Sequence, residues 1–162
     1  MSSTLGRAEP DLMQTAGTAR RNGFLVVCLL AGCAATQPLV PYTTVGDAVP
    51  TALVAGPPDP SQGRAIIAGR DGNCLLCHSI PESWQPFMGN IGPSLSGVGR
   101  RLSAAQLRLR IIDAAVLNRE TVMPPYYRTD GLTNVAVQFS GKPILNAQQI
   151  EDVVAYLGTL RQ

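Results

Sequence analysis

The sequence predicts an all-α domain of three or more helices. Asp59-Pro60, Ser103-Ala104-Ala105-Gln106 and Asn146-Ala147-Gln148-Gln149 each have the form of a helix start, and apolar residues at helical spacing follow each of them. Between the first two starts stands Cys74-Leu75-Leu76-Cys77-His78. Two cysteines separated by two residues and followed at once by histidine are the attachment pattern of haem c: each thiol forms a thioether with a vinyl group, and the imidazole ligates the iron. One covalently bound haem among the helices supplies apolar surface that so short a core would lack.

Length and composition agree with one small domain carrying flanking segments, at 162 residues, 45% hydrophobic and 15% charged. The formal charge is +2 and falls towards neutral if the residues before Cys33 are removed, because Arg7, Arg20 and Arg21 leave with only Glu9 and Asp11. Nothing in this balance suggests nucleic acid.

Residues 1–35 read as a signal segment. Arg20-Arg21 precedes a short apolar run from Phe24 and then small residues, the plan of a secretory signal, and the run is too short for a membrane span of about 20 residues. Export to the periplasm is the expected fate. Leu30-Ala31-Gly32-Cys33 resembles a bacterial lipobox, so two readings stay open: acylation of Cys33, which anchors the chain to a membrane, or cleavage after Ala35. Residues 36–59 carry repeated prolines and little helical periodicity, which predicts an extended arm or linker rather than core. Residues 60–162 are left as the haem domain.

Within that domain the first helix opens at Asp59-Pro60 and carries Ala65, Ile66 and Ile67 on its apolar side. A glycine at 63 or 69 allows another helix to approach. The haem turn follows. As alternatives, a redox dithiol wants a βαβ setting and structural zinc wants two further nitrogen or sulfur ligands. The chain supplies neither, since His78 is its single histidine and Cys28 and Cys33 lie in the signal segment.

The loop of residues 79–101 contains Gly92-Pro93-Ser94-Leu95. A carbonyl fixed by proline can accept the proton on the second ring nitrogen of His78, although a plain proline turn would read the same. The second helix carries Leu107, Ile111 and Ala114 or Ala115 inward. Beyond it, Thr121-Val122-Met123-Pro124-Pro125 offers a methionine in a loop stiffened by two prolines. Met123 is the preferred sixth iron ligand, because Met88 follows His78 so closely that its loop would have little chain to spare in reaching the opposite haem face. The bland alternative for Met123 is gap-filling core. Residues 126–145 lack a clear period; Val135, Val137 and Phe139 alternate, which suits a strand or a twisted loop. The last helix carries Ile150, Val153, Val154, Leu157 and Leu160 and is expected to cross the first.

Cys74 to His78, Gly92-Pro93, a methionine before proline and a final helix with Tyr156-Leu157 together resemble the class I cytochrome c family. Longer strings narrow the resemblance: Gly72-Asn73-Cys74, Gly89-Asn90-Ile91-Gly92-Pro93, Met123-Pro124-Pro125-Tyr126-Tyr127 and Gln149-Ile150-Glu151-Asp152-Val153-Val154-Ala155-Tyr156-Leu157 resemble the SoxX family, the monohaem subunits of sulfur-oxidising SoxAX cytochromes. The resemblance implies a class I cytochrome c fold, one haem c on Cys74 and Cys77, and iron ligation by His78 and Met123. It also implies a SoxA-like dihaem or monohaem partner, a SoxYZ carrier and a downstream cytochrome c acceptor. In that scheme thiosulfate is oxidatively joined to a cysteine of SoxYZ, catalysis resides in the SoxA partner of a heteromeric L-cysteine S-thiosulfotransferase, and this chain carries the released electrons. The rival reading is a stand-alone class I cytochrome c shuttle, periplasmic or membrane-tethered.

Overall fold

Asp59 and Pro60 fix where the first helix begins. The computed structural model describes residues 39–82 and 85–162, so the signal segment and the lipobox lie outside the described residues. In α1, Pro60–Ala68, the Asp59 carboxylate accepts the Ser61 N–H at 2.8 Å. Proline in the first turn gives up an N–H that has no helical partner there. A short 3-10 turn over Cys74–Leu76 follows, then α2, Val98–Arg101, α3, Ala104–Asp113, and α4, Ala147–Thr159. Both α3 and α4 open with the expected capping box, Ser103 with Gln106 and Asn146 with Gln149. Further 3-10 turns cover Ala114–Val116 and Val137–Phe139.

Among the described residues there is no strand, only an isolated bridge between Val45 and Ala48. The alternation at Val135, Val137 and Phe139 therefore belongs to a loop with a 3-10 turn, and Val137 is 91% exposed. No described helix is long and apolar enough to cross a membrane.

As expected, α4 crosses α1, and it also packs against α3. Gly63 sets the closeness of the crossing, because a Cβ built there would stand 2.0 Å from the Asp152 carbonyl oxygen. Ile67, Leu109, Ile112, Leu145, Ile150 and Val153 are fully buried around it. Ala65, expected on the apolar side of α1, faces solvent, while Ile67 is fully buried.

The arm differs from expectation. Its described residues form no helix and reverse at the Val45–Ala48 bridge, but Val49 and Leu53 are core residues. A buried ion pair holds them: Arg108 of α3 meets Glu151 of α4 through Nε–Oε1 at 2.7 Å and Nη2–Oε2 at 2.8 Å. The same Arg108 donates to the Val49 carbonyl at 2.7 Å, and Glu151 accepts the Leu53 N–H at 2.9 Å. The Val49 N–H reaches the Ala105 carbonyl, and Val40 donates to the Tyr127 hydroxyl. A segment without helix or sheet can thus join a core through a few well-placed residues: the Val49 carbonyl and the Leu53 N–H meet buried charges, and the Val49 and Val40 N–H groups meet a carbonyl and a hydroxyl.

Candidate haem site

The haem motif folds as a single tight turn. Gly72 and the left-handed Asn73, at φ 44°, redirect the chain after α1, and Cys77 and His78 both donate backbone N–H groups to the Cys74 carbonyl, at 3.1 and 2.9 Å. The turn brings Cys74 and His78 onto one cavity. Ile67 of α1, Ile111 of α3, and Val153 and Leu157 of α4 line it, with Leu95 and Leu145 from the loops. Met123 and Tyr126 complete the lining.

His78 is held in one orientation. Its Nδ1 lies 2.7 Å from the Pro93 carbonyl oxygen, so Nδ1 carries the proton and Nε2 keeps its lone pair. The other restraint is steric: a Cβ at Gly92 would stand 2.3 Å from His78 Cε1, so only glycine lets the loop pass across the ring. The proline carbonyl anticipated from Gly92-Pro93 occupies this position.

The two methionines separate. Met123 is half-buried in the cavity wall, its N–H donating to Thr121 Oγ1 at 3.2 Å. Met88 does not line the cavity, and its sulfur accepts the Ile80 N–H at 3.3 Å.

Burial pushes the Cys74 thiol up to about 11, which keeps it protonated and argues against a reactive dithiol, whose nucleophile needs a depressed pKa. Cys74 and Cys77 are both free of disulfide. Among the described residues no group of three or more His, Cys, Asp or Glu could hold a metal ion, so a zinc site lacks its donors.

Tyr126, which sequence reasoning did not single out, is 6% exposed and donates its hydroxyl to the Gly72 carbonyl at 2.7 Å. Burial, followed by the neighbouring Cys74, raises its pKa. Only its place three residues after Met123 could have signalled it.

The donor set fits haem c. An apolar cavity presents one thiol, one imidazole with a free lone pair and one thioether, with the second thiol three residues along the same turn; the one hydroxyl in its wall is already bonded elsewhere. A large apolar ring with two points of covalent attachment and two axial positions needs these groups.

No family model matches the sequence, and no curated protein matches it. Among solved structures the chain is similar to one in the crystal structure of SoxXA from P. pantotrophus, with 41% sequence identity, coverage of 75% of this chain and 95% of that chain, and a TM-score of 0.69.

Proposed function

Because this chain belongs to the SoxX family, we propose that it is the monohaem electron-transfer subunit of a SoxAX-type complex, paired with a SoxA-like cytochrome. Cys74 and Cys77 hold one haem c, and His78 and Met123 ligate its iron. The observation that carries this reading is the meeting of Cys74, His78 and Met123 on one apolar cavity while the Met88 sulfur is engaged with Ile80.

Bound there, haem supplies reversible one-electron chemistry. The chain's residues do the rest. The Pro93 carbonyl fixes the His78 tautomer and makes the imidazole a stronger donor. Met123 would offer the iron a weak thioether, the donor type that raises a haem's reduction potential. Ile67, Ile111, Leu145, Val153 and Leu157 exclude water and lower the local dielectric.

With both described cysteines committed to haem, no thiol nucleophile remains among residues 39–162. Catalysis then belongs to the SoxA-like partner. Joining thiosulfate to a SoxYZ cysteine forms an S–S bond and releases two electrons, which this chain passes on one at a time to a downstream cytochrome. The expected location is the periplasm, after export directed by residues 1–35. Whether Cys33 anchors the chain is decided by fatty-acid labelling and the mass of the mature terminus.

The test is coexpression with a SoxA-like cytochrome, affinity capture of this chain, and stopped-flow absorption after adding SoxYZ and thiosulfate. Copurification with thiosulfate-dependent haem reduction is expected. A monomer that is reduced normally by other donors, yet neither binds the SoxA-like subunit nor responds to thiosulfate, would make it a stand-alone shuttle.

A further inference from the structure

Away from the haem cavity, the N-terminal side of α2 and the end of α4 form an open cleft lined by Ser96, Gly97, Arg100, Arg101, Arg161 and Gln162. All three arginines are exposed. Ion pairs among the described residues use other arginines, namely Arg64, Arg108, Arg110 and Arg128. The three in the cleft bond to backbone carbonyls instead: Arg100 to Arg161 at 3.4 Å, Arg161 to Gly158 at 3.2 Å, and Arg101 to Ser94 at 3.1 Å and to Ser96. A carbonyl orients a guanidinium without neutralising it.

The surrounding chain is free of negative side chains, since no Asp or Glu occurs in residues 83–112 or 153–162. Residues 39–162 carry ten Lys and Arg against nine Asp and Glu; without these three arginines the count is seven against nine. Four of these charges are buried, Arg108 together with Asp113, Glu151 and Asp152, so outside the cleft the surface carries six of each sign and the three arginines are its net positive excess. Their face is linked to the haem cavity through one loop. Ser94 and Ser96, held by Arg101, flank Leu95 of the cavity wall, and Pro93 just before them holds His78.

We propose that the Arg100, Arg101 and Arg161 cleft is the docking face for the acidic surface of the downstream protein that takes electrons from this chain. The proposal rests on the electron-transfer reading above. A polarised charge distribution orients an approaching partner before contact, and exposed charges act mainly on the association rate. Arg101 is tied to two loop carbonyls and shapes the cleft, whereas Arg100 and Arg161 have one such bond each and can turn towards incoming carboxylates.

The experiment uses the haem-loaded full chain, reduced, and follows its oxidation by anionic ferricyanide and by cationic tris(phenanthroline)cobalt(III). At low salt the pair Arg100→Gln with Arg161→Gln should slow ferricyanide roughly three- to tenfold and speed the cobalt complex. Both effects should fade as salt shortens the screening length. The control pair Arg70→Gln with Arg119→Gln, also exposed, changes net charge equally and should do much less. Poly-L-glutamate should inhibit ferricyanide oxidation of the unmodified chain but not of the cleft pair, whereas phosphate at equal ionic strength should not. Equal effects of the two arginine pairs would overturn the proposal, as would phosphate matching poly-L-glutamate, which would mark a free-anion site. Loss of SoxA-like subunit binding in the cleft pair would overturn it too, by assigning the face to the subunit interface. A chain without haem absorption would fail the electron-transfer reading itself.

Discussion

Replacing Gly92 by alanine puts one methyl group against the proposed axial histidine. The added Cβ would lie 2.3, 2.6 and 2.7 Å from Cε1, Nδ1 and Nε2 of His78, where ordinary contact begins at 3.4 Å. The imidazole or the loop must therefore retreat by about 1 Å, a shift that the Pro93 hydrogen bond at 2.7 Å cannot follow unchanged. Overpacking of this kind costs typically about 1–3 kcal/mol, and loss of the hydrogen bond adds about 1 kcal/mol. Thermal unfolding of the haem-loaded protein, followed by circular dichroism, should move down by roughly 10 °C. Absorption should show a weakened histidine–iron bond, and the reduction potential should shift. The matched control is Gly56→Ala, whose Cβ would meet only Gln148 Oε1 at 3.6 Å and should leave both readouts near their starting values. An unchanged melting temperature and spectrum in Gly92→Ala would refute the seating of His78 against this loop.

Met123→Ala should open the iron to added imidazole or cyanide and lower the reduction potential, whereas Met88→Ala should not; the reverse result in ligand titrations would exchange their roles. Glu151→Ala should destabilise the protein by about 3–5 kcal/mol, because Arg108 is left charged and buried, and the arm should become the first site of limited proteolysis. A loss below about 1 kcal/mol in guanidinium unfolding would mean that this pair does not clamp the arm. Tyr126→Phe strips the buried Gly72 carbonyl of its 2.7 Å donor and should cost about 1–3 kcal/mol, measured by urea unfolding. No loss would show that Gly72 finds another partner.

Three helices could be read from the sequence because their starts are local chemistry: Asp59, Ser103 and Asn146 each accept N–H groups two or three residues ahead. The haem turn and its proline carbonyl were legible for the same reason, with every group between Cys74 and Pro93. What escaped was non-local. The burial of Val49 and Leu53 depends on charges 50 to 100 residues away, which no periodicity records. Glu151 and Asp152 look like a solvated face beside Ile150 and Val153, yet both are buried, at 4% and 5% exposure. They are covered because α4 is packed by α1, by α3 and by the arm at once. The four residues of α2 are too few to show a period, and Tyr126 carries no motif of its own.

The Arg108–Glu151 clamp also bears on the order in which the chain can mature. The Leu53 N–H and its acceptor are 98 residues apart, so this contact closes one of the longest loops available in the domain. Contacts of such separation form late and slow the final step of folding. The arm therefore cannot lock until the chain has been synthesised through Glu151. The pentapeptide from Cys74 to His78 sits inside the loop that this contact closes. During that interval the two thiols would remain on an unfastened chain, accessible for attachment of the proposed haem, and the late clamp would then fasten the arm over the finished domain.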